Sequence, residues 1–195
     1  MIILGLDIAT KTGFAWYDPN APMNTIRTGV IECAGEDAEE KSASLSQQLV
    51  AMLKHEKPDF VAIEQPLRNV KTFKKEVQTL YGKKFIDTIN PNALQLPSLV
   101  GAAVAIVSAY RIPWITIPAA TWRSRYFGKG FKPPIKITQK EGQDPEQEKQ
   151  WKKAAVERCQ LLKIPVKRHD AAEAVGVAFA AASVDKFKML QRQAA

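Results

Sequence analysis

Sulfur ligands are nearly missing from this chain. Two cysteines, Cys33 and Cys159, occur in 195 residues, and they lie far apart in a spacing that matches no zinc or redox motif. Cys159 falls on the apolar face of a predicted helix and reads as a reduced core thiol. Long hydrophobic runs are also absent. The longest, Leu99 to Val107, is too short to cross a bilayer. A single apolar strand follows Met1 without a basic lead-in, so no signal peptide is expected and the compartment reads as reducing and cytoplasmic. Acidic residues are in deficit, 20 against 28 lysines and arginines, which leaves a formal charge of +8. That surplus favours a polyanionic partner, with nucleic acid ahead of an anionic membrane. Hydrophobic content of 46% is that of an ordinary globular protein, and the length suits a single domain over 1–195.

The few acids that are present stand in unusual places. Asp7 lies inside Ile2-Ile3-Leu4-Gly5-Leu6-Asp7-Ile8, a run apolar at consecutive positions, as in a strand buried on both faces. An ionised carboxylate there is costly unless paired or holding a metal. Phe60-Val61-Ala62-Ile63-Glu64 repeats the pattern, an apolar strand ending in an acid. Asp170 and Glu173 open an alanine-rich helix at i and i+3, on one face of its first turn, where the helix dipole favours negative charge. Taken singly, each acid has a structural explanation: a hydrogen-bonding strand end for Asp7 or Glu64, helix-end charge compensation for the pair. Their joint occurrence on three elements points instead to a carboxylate metal site. Such hard-oxygen donors suit Mg²⁺ or Mn²⁺, not zinc. Two ions about 4 Å apart can clamp a phosphodiester, one activating water and the other stabilising the leaving 3′ oxygen.

Periodicity predicts strands over 2–8, 13–17 and 25–32, then a helix over 38–54 with Leu45, Leu49 and Met52 on one stripe. A fourth strand follows at 59–64. Residues 67–97 show weak periodicity. Residues 99–110 form a helix apolar on nearly all sides and therefore central, and 113–117 a fifth strand. The Gly-, Pro-, Lys- and Gln-rich stretch 128–145 reads as a basic, mobile loop. Helices follow over 146–162 and from about 169 to 188. Three strands with short connections, then alternating helix and strand, predict an α/β fold with a mixed five-stranded sheet covered by helices on both faces. In the order 3-2-1-4-5, Asp7 and Glu64 would converge. Ala174, Ala178, Ala181 and Ala182 would let the last helix lie close to the sheet.

Several motifs resemble RuvC-like Holliday junction resolvases, especially phage-type members. They are Gly5-Leu6-Asp7-Ile8-Ala9-Thr10-Lys11-Thr12-Gly13-Phe14-Ala15-Trp16, Ile63-Glu64-Gln65-Pro66, Pro118-Ala119-Ala120-Thr121-Trp122-Arg123, and His169-Asp170-Ala171-Ala172-Glu173-Ala174. The resemblance covers most of the chain, with 128–145 outside it. It implies a ribonuclease H-like fold, two divalent metals held by Asp7, Glu64, Asp170 and Glu173, and a homodimer that makes paired nicks in a four-way junction. Bacterial members usually have Pro-Gly after the first aspartate, where this chain has Ile8-Ala9. They often carry an aromatic soon after the fourth-strand glutamate, where this chain has Pro66-Leu67.

The expected activity is a Mg²⁺-dependent endonuclease selective for branched DNA. Arg68, Lys71, Lys74, Lys75, Lys83 and Lys84 begin four residues after Glu64 and would hold a DNA backbone, with Phe73 and Tyr81 stacking on an unpaired base. An exposed helix with solvated lysines explains the same run equally well. Arg123, Arg125, Lys129, Lys132 and Lys136, with Lys152 and Lys153, form a second basic group. His169 could donate to a phosphate or stand as a surface residue. Competing readings are an actin-like phosphotransferase, a nuclease acting on structured RNA, and a non-catalytic DNA-binding module of the same fold.

Overall fold

Alternation and capping signals in the sequence account for most elements of the computed structural model, which describes residues 1–66, 72–79, 82–89, 93–138 and 146–194. The chain opens with β1 (Ile3–Asp7), β2 (Lys11–Tyr17) and β3 (Arg27–Glu32). Helix α1 (Ala38–His55) starts where the Asp37 side chain accepts from the Glu40 amide at 2.8 Å, while the Glu40 carboxylate reaches back to the Glu36 amide. Then come β4 (Phe60–Glu64), β5 (Thr72–Thr79), β6 (Gly82–Ile89), α2 (Gln95–Ala109), β7 (Trp114–Ile117) and α3 (Ala119–Phe127). The chain ends with β8 (Ile135–Thr138), β9 (Glu146–Lys149), α4 (Trp151–Leu161), α5 (His169–Ala181) and α6 (Asp185–Ala194). Among the described residues no helix is long and apolar enough to cross a membrane.

Five strands form one sheet in the order β3-β2-β1-β4-β7, the expected order with β7 as its fifth member. The first three run antiparallel, and β1, β4 and β7 run parallel. Side chains alternate between faces along each strand. Leu4, Leu6, Val61 and Ile63 pack with Leu45, Leu49 and Leu53 of α1 and with Leu99, Ala103 and Val107 of α2. Ile3, Phe60 and Ala62 point the other way, into a layer built from α3, α4, α5 and α6. Helices therefore cover both faces.

Four expectations need correction. The helix read as central, over 99–110, buries only the stripe Leu99, Val100, Ala103 and Val107. Its outward face is apolar but small, with Gly101 and Ala105 exposed. The central helix is α5, buried at eleven of its thirteen residues. The 128–145 loop is partly sheet: β8 pairs antiparallel with β9, and helix α4 starts at Trp151, not at 146. The final helix is two. After α5 the chain turns through Ser183, whose hydroxyl donates to the Ala180 carbonyl, and restarts at Asp185. Finally, β5 and β6 form a hairpin where periodicity was weak and a helix was one reading.

Candidate active site

Strand parity sets where the acids point. Asp7 shares a face of β1 with Ile3 and Gly5, and Glu64 shares a face of β4 with Phe60 and Ala62. Both therefore face α5. The parallel register Ile3 with Phe60 and Gly5 with Ala62 carries on to set Asp7 beside Glu64. On the other side Asp7 pairs with Gly13 of β2. Gly13 admits the helix start: a Cβ there would collide with the backbone of Asp170. Gly5 does the same further along, where a Cβ would come 2.5 Å from the Ala174 carbonyl oxygen and 2.7 Å from the Ala178 Cβ. Helix α5 thus lies on the bare backbone of β1 and β2, and its first turn delivers Asp170 and Glu173, both buried, to the strand acids.

The four carboxylates feel one another. Burial, then repulsion from Glu64, Glu173 and Asp170, pushes Asp7 up from its ordinary value to about 8. Burial followed by the Glu64 charge pushes Glu173 up to about 7, against the pull of Arg123 and Lys152. Glu64 is raised by burial, and an indole hydrogen bond, Arg123 and Lys152 partly offset this. Among the described residues, no three Asp, Glu, His or Cys side chains stand in position to hold one ion together. The donor set is nevertheless all carboxylate, with Asp170 and Glu173 buried and Asp7 and Glu64 partly so, and its chemistry fits a hard divalent cation.

Asp170 has local partners, with His169 Nε2 at 3.0 Å and Arg168 Nε at 3.9 Å. Glu64 is held from the side. Trp122, fully buried on α3, donates its Nε1–H to Glu64 Oε2 at 2.9 Å. Sequence reading gave Trp122 no role. Its signal was the sequence from Pro118 to Gly128, a helix bounded by proline and glycine, which places the indole beside β4. The next residue, Arg123, lies 3.6 Å from Glu173 Oε1 and is stacked near the Trp122 and Trp151 rings, while its buried Nε has no hydrogen-bond partner among the described residues. A cleft of about 1070 Å³ reaches Asp7 and Glu64 and is also lined by Arg123, Phe131 and Trp151.

No family model matches the sequence, and no curated protein matches it. Solved structures do match. T. thermophilus RuvC in complex with a Holliday junction substrate superposes with a TM-score of 0.60 at 12% identity, over 97% of this chain and 96% of that one. A second Thermus thermophilus RuvC structure gives 0.58 at 14% identity, over 98% and 97%. The chain has the RuvC fold.

Against the RuvC fold the basic residues separate into groups. Lys152, in the first turn of α4, lies within electrostatic reach of Asp7, Glu64 and Glu173. Lys153 beside it pairs with Glu157 at 3.9 Å. Lys129, Lys132 and Lys136 are exposed. Arg125 does not join the acids: its guanidinium donates to the Ala180 carbonyl, ten residues along α5 from Asp170, or about 15 Å at 1.5 Å per residue. On the β5–β6 hairpin the register pairs Gln78 with Lys83 and Val77 with Lys84. Residues opposite one another share a face, so Lys74 and Lys83 lie on one face of the ribbon and Lys75 and Lys84 on the other. Lys83 also pairs with Glu76 at 2.6 Å. Arg68, Lys71 and Tyr81, and the side chain of Phe73, lie outside the described residues.

Proposed function

We propose that this chain is a divalent-metal-dependent endonuclease that hydrolyses branched DNA, with four-way junctions as its principal substrate. The observation that carries the reading is the gathering of Asp7, Glu64, Asp170 and Glu173 at one end of α5, with Asp7 and Glu64 lining an open cleft, in a chain with the RuvC fold. Burial, and for Asp7 and Glu173 repulsion from neighbouring carboxylates as well, raises the proton affinity of Asp7, Glu64 and Glu173, so a cation among them would relieve that cost. Asp7, Glu64, Asp170 and Glu173 are the residues that would hold Mg²⁺, which when bound would activate water and neutralise the charge on the phosphodiester.

The protein's own groups supply the rest. Trp122 fixes one oxygen of Glu64 and so orients that carboxylate towards the cleft. Lys152 and Arg123 place positive charge at the rim of the acid cluster, where a DNA phosphate would otherwise be repelled. Exposed Lys129 and Lys132 adjoin in sequence the cleft-lining residues Gly128, Gly130 and Phe131 and add positive charge to that segment. Phosphate contacts carry no sequence code, so recognition of shape follows. A homodimer, one active site per strand, is the matching assembly.

Four-way, flap, linear-duplex and RNA substrates, each incubated with Mg²⁺ and with chelator, test this directly. Cleavage of branched DNA alone, lost with chelator, is expected. Preference for RNA, or ATP turnover without DNA, would replace the reading. Light scattering should give twice the monomer mass.

A further inference from the structure

Part of the lining of the cleft that reaches Asp7 and Glu64 is aromatic. We propose that Phe131 is a stacking platform for an unpaired nucleobase, and that it selects branched DNA over continuous duplex. The inference rests on the endonuclease reading and adds how that site chooses its substrate.

Phe131 lies between two exposed lysines, in Gly128-Lys129-Gly130-Phe131-Lys132. Both glycines have positive φ, +96° and +81°, a conformation other residues seldom adopt. Those two bends fold the segment back so that the Phe131 ring lies on Phe127, with centroids 4.6 Å apart and planes 13° from parallel. Trp151 flanks both rings, 5.8 Å from Phe127 and 6.2 Å from Phe131. The Arg123 guanidinium lies 4.8 Å from the Trp151 ring. The stack has an inner end in the core and an outer end in water, since Phe131 is 42% exposed.

An exposed phenylalanine is unremarkable by itself. This one lines the same cleft as Asp7 and Glu64, has lysines on either side in sequence, and stacks on Phe127 while remaining partly exposed. Other exposed apolar side chains, Phe85, Ile135 and Ile137, sit on the two hairpins and do not line that cleft. A flat group with a π-face and a phosphate attached fits what the cleft offers, and a nucleotide's base is such a group. A base inside a duplex already stacks on both sides. Only one released at a branch point can give its face to Phe131 while its phosphate approaches the acids. Base–aromatic stacking contributes roughly 1–3 kcal/mol, a factor of about 5 to 150 in affinity.

The test uses the intact chain in chelator, where no strand is cut, and DNA carrying 2-aminopurine at the branch point or within an unbroken duplex. Wild type should quench the branch-point probe and leave the duplex probe unchanged. Phe131→Leu keeps an apolar side chain but has no π-face. It should lose the quench and bind the junction about 5- to 150-fold more weakly, with an unchanged melting temperature. Phe131→Trp should restore both, and Ile137→Ala should alter neither. If Phe131→Leu quenches and binds like wild type while Mg²⁺ still supports junction cleavage, stacking on Phe131 is wrong and the endonuclease reading stands. If wild type neither binds nor cuts any branched DNA, both fall together.

Discussion

The two faces of the central sheet are packed by opposite means. On the α1 and α2 side, Leu4, Leu6, Val61 and Ile63 meet Leu45, Leu49, Leu53 and Leu99, bulk against bulk. On the α5 side, Gly5 and Gly13 meet alanines and bare helix backbone. The separation of packed layers follows the size of the side chains between them. A carboxylate arm is short, so acids from a strand and a helix can share charge only where the layers nearly touch. One face holds the fold together by buried area, and the other holds it close enough for chemistry.

The largest expected effect separates the faces by readout. Asp7→Asn should lower single-turnover junction cleavage at least about 10³-fold while junction binding persists. Leu49→Ala should cost about 2–5 kcal/mol in urea unfolding and leave cleavage per folded molecule unchanged. Cleavage by Asp7→Asn near the wild-type rate would remove Asp7 from the site.

A variant on the close face should break the separation. Gly13→Ala drives a methyl into the Asp170 backbone and should cost about 1–3 kcal/mol. Unlike Leu49→Ala, it should also cut the cleavage rate of the folded fraction, because α5 must move and carries two acids with it. Equal activity per folded molecule would show that the close fit serves packing alone.

A finer contrast lies at Trp122, which belongs to the core by burial and to the site by its hydrogen bond. Trp122→Phe keeps the ring and loses the donor. Mg²⁺ affinity by calorimetry should fall about 10- to 100-fold, as is usual when an outer partner of a metal ligand is lost. Unchanged affinity would confine Trp122 to packing.

The smallest effect is on pH dependence without metal. Asp7 rises from 3.8 to about 8 and Glu173 from 4.5 to about 7 on folding, so the folded state holds protons that the unfolded chain has released. Stability in chelator is therefore full below about pH 4 and declines as pH rises towards 8. Asp7→Asn should flatten that decline in melting curves at pH 5 and pH 8, whereas Leu49→Ala should shift both equally.

Much of this was legible beforehand because it depends on local pattern. Runs apolar at consecutive positions marked β1 and β4. An acid at the end of each, and the spacing of Asp170 and Glu173, marked all four carboxylates that the fold gathers. The sheet order followed from short connections and chain order. The misreadings also have local causes. Small residues made α2 look buried on every side, since hydropathy does not register bulk. In the β8–β9 pair only β8 alternates, as Ile135-Lys136-Ile137-Thr138, while its partner Glu146–Lys149 is polar throughout, so a strand of four residues had no second apolar strand to mark the pairing. Ser183 and Asp185 are residues that favour helix starts, and they split a helical pattern that ran through them without interruption.

Sequence alone determined which residues carry charge into apolar surroundings, because an acid in a buried run stands out from its immediate neighbours. It also determined the net positive charge that a polyanion would meet. Tertiary structure decided the rest. Trp122 behind Glu64, Lys152 before the acids, Arg125 turned away to Ala180 and the Phe131 stack join residues distant in sequence or set by backbone bends. Such contacts leave no period in the chain, because they are fixed by how closely α5 and α3 settle onto the sheet.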